Sequence, residues 1–350
     1  MSIVGGGFRA TVRANRWLPA LSAAVIVCQV AGPSIRAAQG PAQSDGALTV
    51  LEIKPDFYMI AGAGSNVAVH IGRDGVVVTD AGRADAAEAL LAAIRRLTPR
   101  PIRFVINTSA DPDHVGGNGV LSAAGESVHP AGTRRFGIID PQYAAILAEE
   151  SVLTRMSAPT GQQAPFPAAA LPTSTYSAVS GEHQRKLVLS GEAIQVMHQP
   201  SAHTDGDSLV YFRRSDVLIT GDVFDATRFP LIDLARGGSI QGVLQSLNRI
   251  VDMTFDSTPF PFQEDGTVIV PGHGRLCGTT DLVDYRDMVT IVRDRVADLV
   301  KQGKTLEEIQ RANPTAGYRR QYGSDTGAWT TTMFVEAIYK GLTSQGVSPP

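Results

Sequence analysis

The sequence predicts an α/β (α+β) protein, an αββα sandwich in which helices cover two central sheets. Two observations predict it. Short β-rich runs and helical stretches follow one another as strands, helix, strands, helix, and the series occurs twice. Histidines and aspartates also recur at or near strand ends, at Asp113, His114, His203, Asp222 and His273. A pair of packed sheets gathers such side chains from distant sequence into one cleft.

Residues 1–38 read as an export signal. Arg9, Arg13 and Arg16 precede an apolar stretch from Trp17 to Ala31, and small residues follow around Ala37-Ala38. Cleavage is expected between Ala31 and Ala38, giving a periplasmic or secreted protein. The stretch is short and contains Pro19, which argues against a permanent membrane span. Cys28 lies inside it, so cleavage leaves Cys277 alone and no intramolecular disulfide is expected.

Residues 39–47 look like a loose linker. Strands are expected at Leu48 to Ile53, Phe57 to Ile60, Asn66 to Ile71 and Gly75 to Thr79, with a turn at Arg73-Asp74-Gly75. Residues 83–98 are an Ala/Leu-rich helix stopped by Pro99. Ile102 to Ile106 is a further strand, and Gly116-Gly117 offers freedom to turn after it. Residues 118–155 read as helices around one strand near Ser127-Val128. Residues 156–176, rich in Pro, Ala, Ser and Thr, have no helical or strand period and are a candidate lid.

Strands at Ser208 to Phe212, Asp216 to Thr220 and Thr267 to Val270 lie beside His203, Asp222 and His273. Gly237 to Phe255 looks helical. From Leu282 to Lys301 apolar residues recur at steps of three and four, as on one face of a helix. Thr305-Leu306-Glu307-Glu308 is a capping box that opens a short helix. The expected organisation is one domain over residues 48–300, with residues 301–350 a helical extension packed on it and contributing Trp329 and Phe334.

The residues with chemistry lie in four segments: Asn107 to Asn118, Ser201 to Asp207, Ile219 to Asp222 and Pro271 to Gly274. Asp113-His114-Val115-Gly116-Gly117-Asn118, followed by His203, Gly221-Asp222 and Pro271-Gly272-His273-Gly274, resembles the metallo-β-lactamase superfamily. The family's signature is His-x-His-x-Asp-His followed by Gly-Gly-Asn. Asp80-Ala81-Gly82 resembles the Asp-x-Gly that precedes the first helix of that family. The resemblance covers roughly residues 48–300. His70, His129, His183 and His198 have no comparable context.

Two positions depart from the signature. Ser109 and Asp111 stand where its two leading histidines would be. The resemblance implies that one metal takes Asp113, His114 and His273, with Asp222 bridging. The other set keeps His203 and Asp222, with Asp111 as a substitute ligand. Ser109 is a poor ligand, and together with Asp80 and Thr204 it is placed around the ligands rather than on a metal. One tight metal is expected in the intact set. An asymmetric two-metal site is also permitted, because three carboxylates and two divalent ions leave a charge that one hydroxide neutralises. Zinc is the expected ion, with iron or manganese favoured as ligation becomes oxygen-rich.

Such an ion lowers the pKa of bound water from 15.7 toward about 7. Asp111 or Asp113 is then the candidate to orient that water or to shuttle a proton. The implied activity is that of an exported metal-dependent hydrolase acting on a small molecule, with β-lactam cleavage one of several chemistries this fold hosts. The alternatives are a non-hydrolytic metal-binding pseudoenzyme, and a non-haem iron oxidoreductase acting on a sulfur compound. The 350 residues carry a net charge of −3, which gives no basic surface for nucleic acid.

Overall fold

The structure, a computed structural model, describes residues 48–129, 133–135, 138–139, 142–157, 166–177, 184–256 and 266–344. The export signal, the linker, His183 and residues 158–165 of the candidate lid lie outside them; the described remainder of that segment is not structureless, since it holds a helix end, a short helical turn at Ala168–Ala170 and a strand at Ser174–Tyr176. Among the described residues no helix is long and apolar enough to cross a membrane.

Two sheets form the centre. The first is built from β1 (Thr49–Lys54), β2 (Phe57–Ala61), β3 (Val67–Gly72), β4 (Gly75–Thr79) and β5 (Ile102–Ile106). After a small ribbon of β6 (Arg134–Arg135) and β7 (Ile138–Ile139), it is completed by β8 (Ala145–Glu149) and β9 (Ser174–Tyr176). Its order is β1-β2-β3-β4-β5-β8-β9, antiparallel up to β4 and parallel from β4 to β9. The second sheet runs in sequence order through β10 (Gln184–Leu189), β11 (Glu192–Gln199), β12 (Asp207–Phe212), β13 (Val217–Gly221) and β14 (Val268–Pro271). Its last pair, β13 and β14, is parallel.

Period-two alternation divides the apolar residues between layers. On β13, Val217 and Ile219 join the core between the sheets, while Leu218 faces the outer helices. On the first sheet, Val77 and Ile106 point to the inner core, and Val76, Val78 and Val105 point outward. Helix α1 (Ala87–Leu97) covers that outer face with Leu90, Leu91 and Ile94. The single turn α2 (Pro112–Val115) and α3 (Asn118–Ala123) follow β5, and α4 (Glu150–Ser157) follows β8.

Over the second sheet lie α5 (Ile240–Met253) and α6 (Thr279–Lys301). Leu282, Tyr285, Val289, Val292 and Val296 of α6 are buried, as their spacing predicted. Beyond them come α7 (Leu306–Arg311), α8 (Arg319–Tyr322) and α9 (Thr331–Ser344). The capping box is present on α7, with Glu308 N donating to Thr305 Oγ1 at 3.3 Å and Thr305 N donating to Glu308 Oε2 at 2.9 Å. Ile309, Phe334 and Ile338 share one core with α5 and α6.

Two expectations are corrected. Ser127 and Val128 are not strand; that region holds the short β6 and β7 and, in the main sheet, β8 at Ala145–Glu149. Its Ala-Ile-Leu-Ala-Glu sequence favours helix, but a place between two parallel neighbours, almost wholly buried, overrides that preference. Gly116 and Gly117 do not supply a special turn, since φ is −59° and −86°. They are needed for close approach instead: a Cβ at Gly116 would lie 2.3 Å from the Ala84 backbone nitrogen, and one at Gly117 2.3 Å from the Ala81 carbonyl oxygen.

Candidate metal centre

The chain leaves β5 at Ile106, and Pro112 fixes the first residue of α2, whose N-cap position is Asp111. That single helical turn sets Asp113 and His114 on neighbouring directions about one axis. The parallel pairing of β13 and β14 brings Asp222 and His273, each just past a strand end, to the same rim. The rim is tightly built: a Cβ on Gly272 would lie 2.4 Å from Asp222 Oδ1. Asn66 Nδ2 donates to the carbonyls of Pro271 at 2.9 Å and Gly274 at 3.0 Å, which fixes the turn carrying His273.

The side chains fall into two groups of three. Asp113, His114 and His273 form one, and Asp111, His203 and Asp222 form the other, each with its ligand atoms within 4.8 Å of one another. Asp222 also joins the first group, because its Oδ1 lies 3.4 Å from His114 Nε2 and 3.3 Å from His273 Nε2. His273 Nε2 is 3.4 Å from Asp113 Oδ2, and His203 Nε2 is 3.3 Å from Asp111 Oδ2. All six residues named for the metal therefore converge, with Asp222 between the groups.

Four atoms in this arrangement are buried and have no hydrogen-bond partner among the described residues: His114 Nε2, His203 Nε2, His273 Nε2 and Asp222 Oδ1. Leaving one such atom unsatisfied costs about 1–3 kcal/mol. Three of the four, Asp222 Oδ1 with His114 Nε2 and His273 Nε2, face one another in one group and His203 Nε2 faces Asp111 in the other, an arrangement that fits cations taking their lone pairs. Nitrogen and carboxylate oxygen are donors suited to zinc, and the Asp111 group, with two carboxylates and one imidazole, shifts toward manganese or iron.

The opposite edges of the imidazoles are held. His114 Nδ1 lies 2.9 Å from Asp80 Oδ2, so a proton on Nδ1 leaves Nε2 free for a metal. Asp80 accepts in turn from the backbone nitrogen and hydroxyl of Thr108, both at 2.8 Å. It stands in the left-handed region at φ 62°, a conformation Asp tolerates better than most residues. His203 Nδ1 lies 3.3 Å from Asp207 Oδ1. Thr204 holds that carboxylate, its nitrogen donating to Oδ2 at 2.7 Å and its hydroxyl to Oδ1 at 2.9 Å.

Ser109 is buried and stays out of both groups; its hydroxyl accepts from Asp111 N at 3.2 Å and so shapes the turn into α2. His70 packs between Phe57 and Phe212, and His198 Nε2 lies 2.6 Å from the Asp205 carbonyl. Two residues that sequence reasoning missed act here. Asp207, which orients His203, is signalled by its place four residues after it. Arg236 is not signalled at all. Its Nη1 donates to Asp111 Oδ1 at 2.5 Å and its Nε to Asp233 Oδ2 at 2.6 Å. One Asp111 oxygen is thus neutralised, and the other faces His203.

The carboxylates around the three imidazoles also favour their protonated forms. Burial lowers the pKa of His203, but Asp207, Asp222 and Asp111 outweigh it and raise the group to about 9. Burial likewise opposes the rise at His114 and at His273, where Asp222 and, for His114, Asp80 prevail. Burial alone would raise Asp222, yet His114, His273 and His203 hold it well below the usual carboxylate range. A raised imidazole contributes stability that is full below about 6.5 and is lost as pH climbs through the folded value. A depressed carboxylate contributes stability that is lost only as pH falls through its low folded value.

The chelated protein is therefore expected to melt at a lower temperature at pH 9.5 than at pH 6. Metal retention should run the other way, rising with pH as the imidazoles give up their protons. Thermal melts of chelated and zinc-loaded protein check this. A chelated protein equally stable at both values would show that the histidines are not charged in the empty site.

Residues 61–273 match the model of the metallo-β-lactamase superfamily. The chain belongs to that superfamily. It is related to the linear primary-alkylsulfatase of a Pseudomonas species, at 23% identity over 306 residues, covering 77% of this chain and 54% of the relative. The chain thus spans about half the length of that relative.

Among solved structures, the inverting sec-alkylsulfatase Pisa1 from Pseudomonas sp. superposes with a TM-score of 0.58 at 17% identity, over 87% of this chain and 52% of its own. A metallo-β-lactamase from Pontibacter korlensis gives 0.51 at 16% identity, over 70% and 99%. At these identities the structures show a shared superfamily fold. The αββα sandwich expected from the sequence is the fold observed.

Proposed function

We propose that this superfamily member is a metal-dependent hydrolase with an asymmetric two-ion centre, acting on an ester of a small organic molecule. The observation that carries the reading is the pair of donor groups that meet at Asp222, with buried partnerless imidazole nitrogens in both. Asp113, His114 and His273 would hold one ion, Asp111 and His203 the other, and Asp222 both. Bound ions would supply Lewis acidity and acidify water at neutral pH.

The chain's own residues do the rest. Asp80 and Asp207 fix two imidazoles by their far nitrogens. Arg236 occupies one oxygen of Asp111 and keeps the other in place. Asp113, 30% exposed at its side chain, is the carboxylate with access to solvent and to an incoming water, and is assigned the proton-transfer role. The buried Cys277 takes no part: burial pushes its thiol up to about 12.

A sulfate ester is the first substrate to test, since a curated relative and a solved structure are both alkylsulfatases. The deciding experiment is metal stoichiometry on protein purified without added metal, then turnover on alkyl sulfate, phosphodiester, thioester, lactone and β-lactam substrates. Near two ions per chain with ester cleavage supports the reading. A protein that binds no metal under any loading is a pseudoenzyme. Iron with oxygen uptake and no hydrolysis makes it an oxidoreductase.

Export belongs to the same proposal. The N-terminus found on protein from the native host is expected between residues 32 and 39, in a fraction outside the cytoplasm. Edman sequencing that finds Arg9 to Arg16 intact on cytosolic protein overturns it.

A further inference from the structure

A cavity of about 420 Å³ opens between the segment Leu231–Arg236 and helix α9. Ligand pockets commonly measure about 300–1,000 Å³. Its apolar lining comes from Leu231 and Leu234 on one side and from Trp329, Met333 and Ala337 on the other. Met333 and Ala337 lie four residues apart on one face of α9. Leu234 is 38% exposed and Met333 40%, an unusual degree for large apolar side chains that face each other across one cavity. At the rim Glu336 and Lys340 neutralise each other at 2.6 Å, so they hold no net charge for a ligand.

Two donors in this lining lack partners among the described residues. Trp329 Nε1 is buried with no hydrogen bond. Arg236 uses Nε and Nη1 on Asp233 and Asp111, and its Nη2 has no partner among the described residues. Arg236 is also the link to the metal centre: the same guanidinium donates to Asp111 Oδ1, and Asp111 Oδ2 lies 3.3 Å from His203 Nε2. One end of the cavity is thus one guanidinium and one carboxylate away from a donor group. Because Asp111 and Asp233 already balance the charge of Arg236, what it offers a ligand is hydrogen bonds rather than net charge.

The geometry points to a substrate subsite in which helix α9 and the Leu231–Arg236 segment enclose the apolar chain of an amphiphile, with its oxygen-bearing end toward Arg236, the lining residue that Asp111 joins to the metal ligands. The inference rests on the hydrolase reading and deepens it. The substrate class becomes esters carrying an alkyl or aryl chain, in preference to small or wholly polar esters. No covalent step is added; the subsite acts by burying apolar area that water otherwise covers.

The test separates binding from turnover. Octanesulfonate has the apolar chain and the oxyanion but no scissile ester, and methanesulfonate lacks the chain. Calorimetry on the full chain with its metal should show octanesulfonate binding at least tenfold tighter. Leu234→Glu and Met333→Glu, both at exposed positions, should each weaken octanesulfonate at least tenfold and leave methanesulfonate binding and metal content unchanged. No preference for the longer chain, or both variants binding octanesulfonate as the parent does, overturns the subsite. Octyl sulfate turnover distinguishes the two levels. Chain-dependent binding without hydrolysis of octyl sulfate or any other ester sinks the hydrolase reading and leaves a binding site. Hydrolysis with variant-insensitive binding sinks the subsite alone.

Discussion

Asp222→Asn is expected to remove both ions and to lower turnover by more than the roughly 10–100-fold that follows loss of a partner outside the ligand sphere. Asp222 Oδ1 is 3.4 Å and 3.3 Å from the free nitrogens of His114 and His273, and the same side chain groups with Asp111 and His203. Each group loses an anionic donor at once. Asparagine keeps the shape, so the strand end and the Gly272 contact survive and a folding defect is not the cause. Asp113→Ala and His273→Ala should each empty the first group while retaining part of the second. Ser109→Ala should leave metal content unchanged, because its hydroxyl only accepts from Asp111 N. Elemental analysis of the four purified variants decides. A Ser109→Ala protein without metal beside a fully loaded His273→Ala protein would falsify the ligand assignment.

The ligands could be read from sequence because each is tied to a local signal. Asp113-His114-Val115-Gly116-Gly117-Asn118, His203, Gly221-Asp222 and Pro271-Gly272-His273-Gly274 follow one another in the order of the superfamily signature. Their grouping around Asp222 is implied by the resemblance alone, since no local period encodes the parallel pairing of β13 with β14 across a long insertion. Helix α6 and the α7 capping box were legible because period and cap are local properties. The hairpin of β10 and β11 is not among the strands expected from the sequence, although its turn has a local signal in Ser190-Gly191, which take positive φ of 57° and 79°. Strand β8 is the opposite case. Its residues favour helix, and only the two neighbouring strands make it extended. Arg236 lies 125 residues from Asp111, with no motif around it, so the ion pair that completes the depleted group exists only in three dimensions.

That ion pair decides between loss and specialisation at the position where the family's signature has histidine. A carboxylate with one oxygen bound to a guanidinium presents a single donor atom and little net charge, which is close to what an imidazole offers. Asp111 and Arg236 act as a unit on this view. Asp111→Asn should therefore drop the stoichiometry from near two toward one and leave the Asp113 group loaded. Asp111→His alone should not restore the second ion well, because the guanidinium would be left facing a neutral ring and a divalent cation. Unit charges about 4 Å apart at an effective dielectric near 20 interact by about 4 kcal/mol, enough to decide occupancy. Asp111→His with Arg236→Gln removes the repulsion and should regain the ion, and Arg236→Gln alone should weaken the second ion by about 10–100-fold, as loss of an outer partner commonly does. Metal titration of the four proteins distinguishes the cases. If Asp111→His alone holds two ions as tightly as the parent, the pair is not coupled, and Asp111 is a decayed histidine site that Arg236 merely happens to touch.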